Sequence, residues 1–326
     1  MRQFISTSPL TLPLCLILGT ALWILPEVGN LLLWGGWFVA ILMVLIWTEL
    51  NNRLSLLRER SQMLGICAFT SSLVMPAFLE WHTISMAPLL LLGSFACFFC
   101  AIESKKTEGY VFYTFLLLTT TILCVPQLIW LLPLYAWMTG MTLRTFRASN
   151  VSASCLGVLF PIIIHGIYVF YDKGGLDIQN FYTTLFQQSV HVDLSYWTEV
   201  SQTQIENLTP SDWQFLSTSV GLFFMSVVSV MHFQHTSLND RYHVRQAYQM
   251  LFVVVAALWV CLILFSQQRH TLLMLLLFVN APFFAHYFTL ARGRWADIVF
   301  MLGFVGLVLT LIFNYNTEWI LSLIFS

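Results

Sequence analysis

Charge is what this sequence lacks most. Fourteen Lys and Arg and fifteen Asp and Glu are spread over 326 residues, 9% of the chain, whereas a soluble domain carries about a quarter. A soluble globular domain is excluded, and no nucleic-acid partner is expected. Chemistry-bearing motifs are also missing. There is no G-x-x-x-x-G-K-[ST] phosphate loop, so the chain is not itself an ATPase, and no G-x-S-x-G nucleophile elbow. No carboxylate sits inside an apolar run: every Asp and Glu, Glu49 and Asp297 included, falls at or near a run end. That weakens an ion-coupled transporter, which needs an intramembrane ionisable group. Cys97-Phe-Phe-Cys100 has no second pair to complete a metal or redox site. The seven cysteines, at 15, 67, 97, 100, 124, 155 and 261, read as small buried hydrophobes. No cofactor is expected.

What the chain has in abundance is apolar sequence: 58% of residues. Apolar runs occupy 8–26, 31–49, 63–79, 84–102, 110–125, 127–143, 151–171, 213–233, 248–266, 271–290 and 296–314. A helix of about 20 such residues crosses the hydrocarbon layer. The expected fold is therefore all-α, a single integral membrane domain over 1–326 with about eleven transmembrane helices. The first run lacks an A-x-A-like site and reads as a retained helix, not a signal peptide. Residues 319–325 are too short to cross and are expected at the interface.

Basic residues orient the bundle. With the N-terminus cytoplasmic, the inner set is Arg2, Arg53, Arg58, Arg60, Lys105, Lys106, Arg144, Arg147, Arg241, Arg245, Arg292 and Arg294. Lys173 and Arg269 fall outside, with the C-terminus. Gly293 is the expected bend of the Arg-Gly-Arg turn. One extracytoplasmic loop is long, 172–212, and it is acidic and aromatic, carrying Tyr182, Tyr196, Trp197 and Trp213 at or beside it. Its segment 176–190 has apolar residues at helical spacing, which predicts an amphipathic helix along the outer surface.

Two polar candidates emerge. The first is a kinked interior. Pro161-Ile-Ile-Ile-His165 and Pro282-Phe-Phe-Ala-His286 each set a histidine one turn beyond a helix-breaking proline. Their spans run in opposite directions, so the histidines lie roughly 6 Å from their prolines on opposite sides of the midplane and do not meet. Asn280 points about 120° away from His286 around the helix and is expected to bond a neighbouring helix. The second candidate is an outer-face site of Glu27, Glu80 and His82, carboxylates placed to act as a base beside a membrane-embedded sugar acceptor. An aromatic belt with solvated turns is the simpler reading of that face. The pair His232-Phe-Gln-His235 lacks the further ligands a metal site needs, so no metal is expected.

The stretches APLLLLGSFACFFCAIES (87–104), LIWLLPLYAWMTGMTLRTFRASNVSASCLGVLFP (128–161) and FVNAPFFAHYFTLARGRW (278–295) resemble an uncharacterised family of bacterial polytopic membrane proteins. The resemblance implies a bacterial inner-membrane home and assigns no functional residue. Extracytoplasmic polymerases and lipid-to-sugar ligases share the plan of about eleven spans with one long outer loop. They place arginines in that loop, and this loop has none. Membrane glycosyltransferases that use lipid-phosphate sugars carry an acidic motif in a long first outer loop; here that loop is about Glu27 to Asn30. The expected activity is handling of a lipid or lipid-linked glycan in envelope biogenesis, with membrane lipids and other membrane proteins as partners. A secondary transporter of a small solute and a noncatalytic scaffold subunit are the alternatives.

Overall fold

The computed structural model describes residues 8, 10–24, 30–59, 61–74, 83–104, 106–143, 148–173, 175–202, 209–265 and 268–315. Among them the architecture is all-helical: α1 (Thr11–Ile24), α2 (Leu31–Leu54), α3 (Met63–Val74), α4 (Ala87–Glu103), α5 (Glu108–Cys124), α6 (Leu131–Leu143), α7 (Ala148–Lys173), α8 (Gly175–Val190), α9 (Ser195–Gln202), α10 (Pro210–Thr236), α11 (Tyr242–Leu264), α12 (Arg269–Leu290) and α13 (Arg294–Tyr315). Among the described residues six helices are long and apolar enough to cross a membrane: Leu31–Leu54, Ile84–Glu103, Ala148–Tyr171, Pro210–Asn239, Tyr242–Leu264 and Arg269–Leu290. The chain is thus a multi-pass membrane protein.

Among the described residues each of the eleven apolar runs carries helix, but not every run is one continuous α-helix. The clearest departure is 127–143, which is a 3-10 segment over Pro126–Trp130 followed by the 13-residue α6. The cause is local. Val125 precedes a proline and adopts φ -134° and ψ 88°, which ends α5. The described part of α6 is roughly 20 Å long at 1.5 Å per residue.

Capping chemistry sets the other ends. Asn30 Oδ1 accepts the Leu32 N–H at 3.0 Å to start α2, and Ser55, with φ 51°, reverses the chain after it. Thr209 and Asp212 form a capping box at the head of α10. Gly293, with φ 105°, makes the expected bend between α12 and α13.

Helix α12 is the axis of the bundle. It packs against α3, α10, α11 and α4, and nearly every residue from Leu272 to Tyr287 is buried. Helix α7 is peripheral, packed on α5 and α8. Its closest approach is at Gly157, where a Cβ would stand 2.6 Å from the Phe112 carbonyl oxygen and 2.9 Å from Phe115 Cβ. Small residues at such crossings let helix backbones touch. Gly157→Val is therefore expected to destabilise the protein by about 3 kcal/mol through overpacking, read as a lower denaturation midpoint in mixed detergent.

The amphipathic helix expected near 176–190 is present as α8, and it folds back against α7. Tyr182 donates its hydroxyl to the Ile162 carbonyl at 2.7 Å, and Trp130 Nε1 donates to the Ser189 carbonyl at 3.1 Å. An isolated bridge between Asp193 and Phe265 then ties the chain to the end of α11. Polar contacts between elements gather at two ends of the bundle. Arg58 with Asp240, His243 with Glu103 and Arg292 with Glu59 lie at one. Arg269 with Asp212 and Trp197 with the Ile263 carbonyl lie at the other.

Candidate functional site

At the Arg58 end, the turn after α10 carries a carboxylate into the protein. Ser237–Asn239 forms a single 3-10 turn, closed by Asp240 N–H donating to the Ser237 carbonyl at 3.0 Å. This leaves the Asp240 side chain 1% exposed. Arg58 reaches it from the α2–α3 connection: its Nε donates to Asp240 Oδ1, and its Nη2 donates to the Thr236 carbonyl at 2.7 Å. The second bond satisfies one of the carbonyls left open at the end of α10. Asn51 braces the connection that presents Arg58, accepting the Leu57 N–H at 2.9 Å and donating to the Ser61 carbonyl at 3.3 Å.

The other oxygen of Asp240 faces His286. Oδ2 lies 3.5 Å from Nε2 of that fully buried imidazole, beyond a strong charge-assisted hydrogen bond. Neither ring nitrogen of His286 has a hydrogen-bond partner. Rings enclose it: Phe233 at 5.2 Å, Tyr248 at 5.4 Å and His232 at 5.8 Å between centroids. Burial alone would raise the Asp240 carboxyl, but His286 and Arg58 together hold it below the usual aspartate range.

Of the proposed polar interior, His286 thus joins a buried ionisable group, and the other two residues sit elsewhere. Asn280 bonds across helices as expected: Ser226 Oγ on α10 donates to its Oδ1 at 2.9 Å, and its Nδ2 donates to the Leu276 carbonyl at 2.8 Å. His165 stands on peripheral α7 beside Tyr168 and Tyr182. Glu27, Glu80 and His82 lie outside the described residues. His232 turns inward, whereas His235 is exposed. Among the described residues no three metal-ligating side chains converge.

A second feature is a cavity of about 380 Å³ between α3, α10, α12 and α13. Its walls are mostly aliphatic and aromatic, with Leu222, Phe284, Phe288 and Leu302 prominent, and Gly221, Gly303 and Gly306 leave gaps in them. Four hydroxyl side chains line it, and three bond to backbone carbonyls. Thr70 donates to Ile66, Ser71 to Cys67, and Thr310 to Gly306. Thr218 Oγ1, buried, has no partner. The cavity is therefore an apolar volume in which the Thr218 hydroxyl is the one uncommitted hydroxyl donor.

At the opposite end, Arg269 holds the loop helix α9 in place. Its guanidinium stacks 3.8 Å from the Tyr196 ring centre and donates from Nη2 to Asp212 Oδ1 at 2.8 Å. Burial and the Asp212 carboxylate push the Tyr196 phenol up to about 12, against the pull of Arg269. The aromatic residues of the loop are consequently packed together, with Tyr196 5.7 Å from Phe215 between ring centroids.

Comparison of the chain with protein-family models, with curated proteins and with solved structures finds no match.

Proposed function

We propose that this chain is an eleven-span protein of a bacterial inner membrane that handles a lipid or lipid-linked glycan for the cell envelope. The hydrocarbon part of the ligand occupies the cavity between α3, α10, α12 and α13. The N-terminus and the Arg58 end face the cytoplasm, and the 172–212 loop and the C-terminus face outward. The carrying observation is the cavity: its volume of about 380 Å³ lies within the range of small-molecule sites, roughly 300–1,000 Å³. An apolar void of ~150 Å³ already takes up benzene. Thr218 adds a donor for an ester or hydroxyl oxygen of the ligand. The helix in each apolar run, and the sorting of end contacts into two groups, support the eleven-span arrangement.

Depletion of the protein in its native host, followed by mass spectrometry of lipid-linked saccharides and envelope glycolipids, tests this reading. One intermediate is expected to accumulate. An unchanged profile removes the proposal. Complementation by Glu80→Ala, His165→Ala and His286→Ala variants then asks whether any polar candidate takes part.

One observation favours a second reading, a proton-coupled transporter. Asp240 and His286 are ionisable, buried and close, which is the arrangement that proton relays use. That reading expects solute flux into proteoliposomes driven by a pH gradient and lost in Asp240→Asn.

A further inference from the structure

We propose a separate ligand site: the groove between α10 and α11 at the Arg58 end binds the phosphate headgroup of an anionic phospholipid. The groove has a volume of about 540 Å³ and shares no lining residue with the cavity beside α13. Its polar residues gather at the helix ends. Gln234 is in the last turn of α10, and Tyr242 and Arg245 are in the first turn of α11. Its deeper wall is apolar, with Val230 on α10 and Phe252 on α11. Phe252 lies roughly 15 Å further along the helix than Tyr242 at 1.5 Å per residue. A groove that is polar at the membrane boundary and apolar in depth matches a phospholipid's headgroup and first acyl carbons.

Arg245 supplies the charge. No Asp or Glu lines the groove, and among the described residues no carboxylate pairs with Arg245. Its Nε is buried and has no acceptor, and a buried N–H left so is costly. A phosphate oxygen is the acceptor that suits a guanidinium best. Gln246 Nε2 donates to the Tyr242 hydroxyl at 2.7 Å, which fixes that ring at the mouth of the groove. Gln249 on the same wall adds an amide donor. Asp240, close by in sequence, does not line the groove and is paired with Arg58. Leu238 at 80% and Tyr242 at 52% exposure leave the mouth of the groove open.

The test is native mass spectrometry of the delipidated full chain, titrated with phosphatidylglycerol, phosphatidylethanolamine or inorganic phosphate. The first phosphatidylglycerol is expected to bind about tenfold more tightly than phosphatidylethanolamine, whose ammonium offsets the phosphate charge presented to Arg245. Arg245→Gln removes that preference. Gln249→Glu, which places a negative charge on the exposed wall, removes it as well and guards against a folding defect in the first variant. A preference unchanged in both variants overturns the proposal. Competition by millimolar inorganic phosphate overturns the lipid assignment in favour of a soluble anion. Neither outcome touches the lipid-handling reading, since the cavity beside α13 is a different site.

Discussion

Arg58→Ala is expected to cost about 3 kcal/mol of stability, because it leaves a buried carboxylate without its counter-charge. The partners differ in environment: the Arg58 side chain is 36% exposed and that of Asp240 is 1% exposed. The cost is therefore mainly the stranding of Asp240 and only partly the lost Coulomb attraction. This asymmetry makes a second outcome diagnostic. Arg58→Ala combined with Asp240→Asn is expected to be more stable than Arg58→Ala alone, since the neutral amide removes the uncompensated charge. Unfolding in mixed micelles measures both variants. A double variant no better than the single one contradicts the assignment.

The same cluster sets a pH dependence. Asp240 titrates below its ordinary range in the folded protein, so the folded state favours the ionised form. Its contribution is fully present above the ordinary aspartate pKa and is lost as the pH falls through the lowered folded value. In Asp240→Asn the acid limb of a stability–pH curve is expected to flatten, with no change near neutral pH in the shape of the curve.

The second large effect concerns the cavity beside α13. A Cβ at Gly306 meets nothing within 4 Å, and the residue lines the cavity, so the ring of Gly306→Phe is expected to project into it. The variant is expected to fold normally and to bind lipid at least about tenfold more weakly, because the ring takes the volume the hydrocarbon chain would fill. Gly109→Phe is the matched control. Its Cβ also meets nothing within 4 Å, but it lies in the first turn of α5 and does not line the cavity. Equal failure of the two variants to complement a depleted strain would point to a general effect of phenylalanine on folding.

Hydropathy made the all-helical architecture legible. Runs of apolar residues located the helices, and Gly293 announced its turn. Pro161 and Pro282 were recognised as helix-interior prolines, and Asn280 as a cross-helix bond. The 3-10 start of the 127–143 run was not legible, because length and hydropathy alone do not register how Pro126 restricts Val125. The Asp240 cluster was hidden for a different reason. Its partners are 182 residues apart for Arg58 and belong to connections that sequence reads as solvated turns. Arg58 was counted as one of twelve topogenic charges, and Asp240 as one more carboxylate at a span end. Only the 3-10 turn, which tucks that carboxylate under α12, turns them into a buried pair beside His286. The cavity was equally invisible, since a glycine gap between helices depends on which faces meet. Gly303 and Gly306, a turn apart on an apolar helix, were the available signal.

The central claim is that the cavity holds a lipid chain, and lipid occupancy tests it directly. The chain is purified in mild detergent alongside Gly306→Phe and Gly109→Phe, and bound lipids are extracted and identified by mass spectrometry. The account predicts one lipid species at near-stoichiometric amounts in the wild-type protein and in Gly109→Phe, and its loss in Gly306→Phe. The same lipid retained in all three, or no enriched lipid in the wild-type protein, would contradict it.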